Sequence, residues 1–122
     1  MRYEYRAKLI RVVDGDTIDF EIDLGLNTLV RIRTRVFGVD TPETYGEKHD
    51  SDEYRKGVVA KAATLSYINE SKDDDGYVLV KTFKDKTGKY GRWLADVRPL
   101  RKPGSLTEHL LKGGYAKAVN YG

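Results

Sequence analysis

The chain has no cysteine, two histidines, one tryptophan and three prolines in 122 residues. The missing cysteine excludes disulfides, thiolate metal sites and a cysteine nucleophile, while saying nothing about compartment. With only His49 and His109, and no second nitrogen or sulfur ligand at suitable spacing, a zinc site is not expected either. No apolar run approaches the length of a membrane span, and Met1 to Arg6 has no signal-peptide core. A soluble, cytoplasmic protein is therefore the expectation. Charge of one sign is lacking too: 22 Lys+Arg against 19 Asp+Glu give a net charge of +3. That mild basic bias is compatible with a polyanionic partner without pointing to one.

What is present fits one folded domain, residues 1–122, with a single hydrophobic core. Apolar and polar residues alternate over Tyr3 to Val13 and over Ile18 to Leu24, which predicts two strands joined at Asp14 to Thr17. A third strand sets Val30, Ile32, Thr34 and Val36 against Arg31, Arg33 and Arg35, runs on toward Val39 and ends at Pro42. Tyr45 to Glu53 is polar, acidic and without period, hence a loop. A helix follows, with Tyr54, Val58, Ala62, Leu65 and Ile68 as its expected apolar face and Asp50 or Asp52 as its cap. Strands over Tyr77 to Phe83 and Gly91 to Val97 flank a hairpin loop, and Ser105 to Glu108 is a capping box opening a short helix that Gly113 and Gly114 stop. Five strands with one long and one short helix predict a small antiparallel barrel with packed helices, mainly β.

Asp14, Asp16, Asp40 and Glu43 stand at strand ends. Singly each is weak, since Asp-Gly is an ordinary turn signal and Asp-Thr-Pro a plain strand end. Together they form a carboxylate cluster that repels itself unless a cation is bound, and oxygen-only ligands favour a hard ion such as calcium or magnesium. Arg35 and Arg92 are candidate clamps for phosphate oxygens. Lys89 and Tyr90 are either contacts for a phosphate or a base or idle side chains of a hairpin tip. Arg31 and Arg33 read as a solvated sheet face, and both histidines as surface side chains.

The ordered set D-G-D-T (Asp14 to Thr17), R-x-x-x-x-D-T-P-E (Arg35 to Glu43) and K-Y-G-R (Lys89 to Arg92), followed by Gly113-Gly114-Tyr115-Ala116-Lys117, resembles the staphylococcal nuclease (thermonuclease) family over nearly the whole chain. The resemblance implies a five-stranded OB-fold barrel with two packed helices. It also implies a calcium-dependent nuclease that cuts DNA and RNA, leaving 3′-phosphorylated products; single-stranded nucleic acid is the expected preferred substrate, and monomer is the default oligomeric state. By position, Asp16 and Asp40 become direct Ca2+ ligands, Thr41 gives a backbone carbonyl, and Asp14 acts through water. Glu43 matches the proposed general base, and Arg35 and Arg92 match the phosphate-binding arginines. Lys89, Tyr90 and Tyr121 match substrate-contacting positions, Tyr121 only with an offset because Asn120 precedes it.

The chain differs from relatives in two further respects. Family members usually continue into another helix after the segment matching Ala116 to Gly122, and well-known members are basic where this chain has Glu47, Asp50, Asp52 and Glu53 against Lys48. That acidic stretch implies modest affinity for a polyanion, most of all at low salt. Two other function classes compete with the enzyme. A non-catalytic OB-fold nucleic-acid-binding module has no need of Asp16, Asp40, Glu43, Arg35 and Arg92 together, and a protein-interaction domain with structural calcium predicts no affinity for nucleic acid.

Overall fold

The computed structural model describes residues 3–44, 51–84 and 93–119. Nine elements follow in order: β1 Tyr3–Asp14, β2 Thr17–Asp23, β3 Leu29–Val36, β4 Val39–Asp40, α1 Asp52–Ser71, β5 Tyr77–Lys84, β6 Trp93–Arg98, α2 Leu106–Lys112 and β7 Lys117–Ala118. Five strands close into a barrel in the order β1-β2-β3-β6-β5, and β4 and β7 form a separate two-stranded sheet. Mainly β with two helices, this is the five-stranded OB-type barrel expected from the sequence.

Period-two patterning makes the barrel. In β2 the side chains of Ile18, Phe20 and Ile22 are buried, while Thr17, Asp19, Glu21 and Asp23 are half-exposed between them. β5 and β6 add Val78, Val80, Ala95 and Val97, and Leu106 and Leu110 of α2 join the same cluster. β1 shifts register between Leu9 and Arg11 and again between Val12 and Asp14. Such bulges bend a strand, and β1 pairs with β5 through Tyr3 to Lys8 as well as with β2 through Arg6 to Asp14. The barrel is not wholly antiparallel as expected: Thr34, Arg35 and Val36 pair in parallel with Trp93, Leu94 and Ala95. That closure sets the end of β3, and with it Arg35, against the start of β6.

Other boundaries also differ from expectation. β3 stops at Val36, and a turn at Phe37 and Gly38, with Gly38 at a φ of 84°, restarts the chain as β4. Val30 stays largely exposed, Ile32 is half-buried, and Thr34 and Val36 are buried, so the inward face begins later along the strand than its alternation predicts. Helix α1 is capped by Ser51, whose hydroxyl accepts from the Tyr54 amide at 3.1 Å, and not by Asp50 or Asp52. Asp52 and Glu53, expected in a loop, lie in its first turn, where negative charge suits the helix dipole.

The buried face of α1 is Gly57, Ala60, Thr64 and Ile68. Of the expected apolar face only Ile68 is buried: Val58 is 44% and Leu65 42% exposed. The helix is rotated because it lies close against the chain at Gly15 and Glu43, where only small side chains fit. Added Cβ atoms at Gly57 and Gly15 would stand 2.9 Å from the Glu43 carbonyl oxygen and 3.0 Å from the Ala60 Cβ, respectively. By contrast α2 follows its sequence signals, with Ser105 Oγ accepting from the Glu108 amide at 3.1 Å and Gly113 as its last cap. The hairpin loop expected over Lys84 to Tyr90 lies outside the described residues from 85 onward.

Candidate active site

The two segments that carry the acidic motifs meet because β2 and β3 are antiparallel partners. Thr17 pairs with Arg35, so the turn entering β2 stands beside the end of β3. The Val36 amide donates to the Asp16 carbonyl at 2.8 Å, closing the junction. Beyond it, the stretch from Phe37 to Asp40 is held from three sides. The Phe37 amide donates to Ala95 O at 2.8 Å and the Val119 amide to Gly38 O at 2.9 Å. From α2, Thr107 Oγ1 donates to Phe37 O at 2.7 Å. β7 completes the support, Lys117 pairing with Asp40 and Ala118 with Val39, so Lys117 of the sequence signature helps to brace β4.

Asp16 is the centre of the arrangement. It is 3% exposed, and its Oδ2 accepts from the Thr41 amide at 3.2 Å and lies 3.3 Å from Arg35 Nη2. Its Oδ1 accepts from Thr17 Oγ1 at 3.2 Å. Burial pushes its carboxyl above the ordinary value of 3.8 because the charged form loses solvation; the Thr41 amide and Arg35 work the other way, and Asp40 adds to the rise. Asp40 is on the open side, its side chain 52% exposed, with Oδ1 3.0 Å from the same Arg35 Nη2.

Asp14 has a different task in this structure. Its Oδ1 accepts from both the Thr44 amide at 3.3 Å and Thr44 Oγ1 at 2.9 Å, which ties the chain after Glu43 to the end of β1. Glu43 itself is exposed, on the turn that passes over Gly57. From beneath, Thr64 Oγ1 of α1 donates to Gly15 O at 2.6 Å, a buried bond that fixes the turn between the two aspartates. Thr44, Gly57, Ala60 and Thr64 thus hold the site in place and were not foreseen. Their signal is the run of small residues at 57, 60 and 64, spaced three and four apart, which marks a helix face built for close approach.

Six of the sequence-nominated residues, Asp14, Asp16, Arg35, Asp40, Thr41 and Glu43, come together at this one end of the barrel. Arg92, Lys89, Tyr90 and Tyr121 lie outside the described residues, as do His49, Glu47, Lys48 and Asp50. Arg31 and Arg33 are exposed and face Glu21 at 3.9 Å and Asp19 at 2.7 Å, the solvated sheet face expected. His109 stacks on Tyr67 with ring centroids 5.1 Å apart. A groove of about 370 Å³ lined by Asp40, Thr41, Pro42, Lys56, Tyr115 and Lys117 opens beside the carboxylates.

Residues 33–122 match the family described as Staphylococcal nuclease homologue. The chain belongs to this family. Its first acidic motif, Asp14 to Thr17, precedes the matched span. The chain is 34% identical over 118 residues to the thermonuclease of Staphylococcus hyicus, covering 97% of this chain and 62% of that protein. It is 34% identical over 115 residues to endonuclease YhcR of Bacillus subtilis (strain 168), covering 93% of this chain and 9% of that protein. An uncharacterized protein of Methanocaldococcus jannaschii, MJ1439, is 30% identical over 128 residues, covering 93% and 58% of the two. The chain therefore spans less than two thirds of the length of each of these relatives.

Among the described residues no three acidic or histidine side chains are grouped so as to hold a metal. The donor set near Arg35 nevertheless fits a hard cation. Asp16 Oδ2 and Asp40 Oδ1 converge on one positively charged nitrogen, and the neighbouring hydroxyl of buried Thr41 has no hydrogen-bond partner. All of these donors are oxygens, and calcium accepts carboxylate, carbonyl and water ligands together.

Proposed function

We propose that the chain is a metal-dependent nuclease, a phosphodiesterase acting on DNA and RNA with little sequence specificity. The observation that carries this reading is the convergence of a buried carboxylate, Asp16, and an exposed one, Asp40, on the guanidinium of Arg35 at the rim of a groove. A binding module gains nothing from a buried acid at its surface, whereas phosphoryl chemistry needs fixed charges of both signs at one point. Family membership and the names of two relatives, a thermonuclease and an endonuclease, support the same conclusion.

Asp16, Asp40 and the Thr41 carbonyl would hold the cation, Ca2+ by family resemblance, with Asp14 acting through water. When bound, the cation supplies Lewis-acid polarisation and counter-charge for the phosphate. The chain does the rest. Glu43, exposed and on a turn braced by Asp14 and α1, takes a proton from the attacking water. Arg35 binds the equatorial oxygens on which charge builds, and Arg92 matches the second arginine with that task. Cleavage of the P–O5′ bond then leaves the 3′-phosphorylated product. Lys56 and Lys117, which line the groove together with Asp40 and Glu53, supply positive charge for a backbone, and no element among the described residues resembles one that reads bases.

The test is digestion of heat-denatured DNA by the purified protein with calcium, with magnesium and with chelator, beside Glu43→Ala and Arg35→Ala. Cleavage in calcium that chelator abolishes is expected, with turnover lowered by about two to three powers of ten in Arg35→Ala. DNA that is bound but left whole in every metal would instead identify a non-catalytic binding module.

A further inference from the structure

The groove that opens at Asp40 and Thr41 adjoins a second hollow of about 240 Å³ against α1. The two share Pro42, Lys56, Gly114 and Tyr115 as walls, and Arg55 and Val59 complete the second. Its surface is mostly apolar, and the proposed cleavage step makes no use of it. Val59 is 53% exposed there, so an apolar side chain of α1 is turned to the hollow and not to the core.

Tyr115 is the fixed part of this wall. Its amide donates to Leu110 O at 2.9 Å, a Cβ at Gly113 would run into its ring, and the His109 ring stands 6.1 Å away between centroids. The ring is thus held in place by its neighbours, and a ligand that stacks on it pays little side-chain entropy. Gly114 leaves the adjoining wall open, since nothing lies within 4 Å of where its Cβ would stand. Cationic side chains rim the apolar part: Arg55 and Lys56 at the hollow and Lys117 at the groove, against Glu53 and Asp40.

We propose that this hollow is a nucleotide subsite, which takes the base of a nucleotide next to the cleaved phosphate against Tyr115, Pro42 and Val59 while Lys56 and Lys117 meet its phosphates. This rests on the reading that Asp16 and Asp40 mark the point of cleavage. Continuity carries the argument, because Asp40 and Thr41 line the same groove and a strand held at the acids has its next nucleotide within reach of the hollow. Chemistry supports it. A nucleotide couples a flat apolar face to an anion, which matches an apolar wall rimmed by lysines, whereas an acyl chain would leave Lys56 and Lys117 idle. Every base has a face that stacks on an aromatic ring, so such a subsite adds affinity without reading sequence.

Binding is measured without cleavage, in chelator, by the fluorescence anisotropy of a labelled single-stranded oligothymidylate. Val59→Glu and Val58→Glu add the same charge at neighbouring, exposed positions of α1, but of the two only Val59 lines the hollow. Val59→Glu should weaken binding at least about fivefold, the low end of what one base–aromatic stack contributes. Val58→Glu should stay within about twofold of wild type at about 0.15 M salt, where exposed charges are screened over about 8 Å. Tyr115→Leu should also lose at least about fivefold and Tyr115→Phe less than about twofold, because phenylalanine keeps the stacking face. A base-less strand of tetrahydrofuran residues with the same number of phosphates separates stacking from general damage. Wild type and Tyr115→Leu should bind that strand within about twofold of each other.

Equal weakening by the two glutamates, equal losses for both strands in Tyr115→Leu, or no binding of oligothymidylate by wild type would each overturn the subsite. DNA digestion decides the nuclease separately. Cleavage whose KM is the same in wild type, Val59→Glu and Tyr115→Leu sinks the subsite alone. Binding in the expected order with no cleavage in any metal sinks the nuclease alone.

Discussion

The two ends of β2 are both hairpin turns, and they are built to opposite plans. At the start, Asp14 to Thr17 is enclosed: Gly15 is wedged against Ala60 and Thr41, its carbonyl is bound by Thr64, and Asp16 is buried. At the far end, Leu26 and Asn27 sit at positive φ of 55° and 60°, Leu26 is 98% exposed, and an added Cβ at Gly25 meets nothing within 4 Å. One strand thus carries a turn over-determined by its surroundings and a turn determined by almost nothing but its own hydrogen bonds. A small barrel thus places its costs unevenly along one strand. Burying an acid and crowding a glycine are destabilising choices, and they are concentrated where chemistry is proposed.

The largest effect should come from Asp16→Asn, which separates chemistry from stability. Loss of a proposed cation ligand should lower nuclease turnover by at least about a hundredfold. Stability should move the other way. The folded state raises the carboxyl of Asp16 above its ordinary 3.8 through burial, so the folded protein binds this proton more tightly than the unfolded chain. The favourable contribution is complete below 3.8 and is lost as pH rises through the folded value. Near neutral pH the ionised acid therefore costs stability that asparagine does not. Thermal unfolding should show the variant more stable than wild type at pH 7, with the advantage shrinking as pH approaches the ordinary carboxylate value. A variant less stable than wild type at pH 7 would mean that Arg35 and Thr41 more than offset the burial cost.

Next in size is Gly57→Ala. In an open helix this change gains about 1 kcal/mol. Here the new methyl stands 2.9 Å from the Glu43 carbonyl and from Thr44 Cγ2, and overpacking against backbone costs about 1–3 kcal/mol. A net loss in chemical denaturation is expected, together with lowered turnover because Glu43 is moved with the turn. Alanine at Gly57 with unchanged stability and rate would show that α1 stands off from the site in solution.

These two predictions also mark how far the sequence could be read. Barrel strands were legible because inward Ile18, Phe20 and Ile22 alternate strictly with polar neighbours, a pattern local to the strand. Asp16, Arg35 and Asp40 were legible because the motifs fix both their order and their spacing. The orientation of α1 was not: its most apolar stripe, with Val58 and Leu65, is largely in solvent, since the distance of closest approach to the acidic turns outweighs hydrophobicity on that helix. Nor could sequence show that Arg35 lies between the two acids, because pairing across a site depends on how β2, β3 and β4 converge and on nothing within reach along the chain.

Thr64→Val should have a somewhat smaller effect. The substitution keeps shape but deletes the 2.6 Å bond to Gly15 O, leaving a buried carbonyl without this donor at a cost of about 1–3 kcal/mol. Chemical denaturation should register that loss, and cleavage should fall modestly as the Asp14–Asp16 turn loosens.

The smallest effect belongs to the exposed turn. A leucine at positive φ carries about 1–2 kcal/mol of steric strain, and nothing packs around Leu26 to repay it. Replacing it with glycine removes that strain but widens the unfolded ensemble by about 0.4–1 kcal/mol. Leu26→Gly should therefore stabilise the protein by about 0–1.6 kcal/mol and leave nuclease activity unchanged. The same exchange of strain against entropy is unavailable at the other end of β2, where the glycine is already present and the crowding lies in its neighbours. If Leu26→Gly instead destabilises the protein by more than about 1 kcal/mol, this leucine is packed in solution, and the two turns are less different than their exposure indicates.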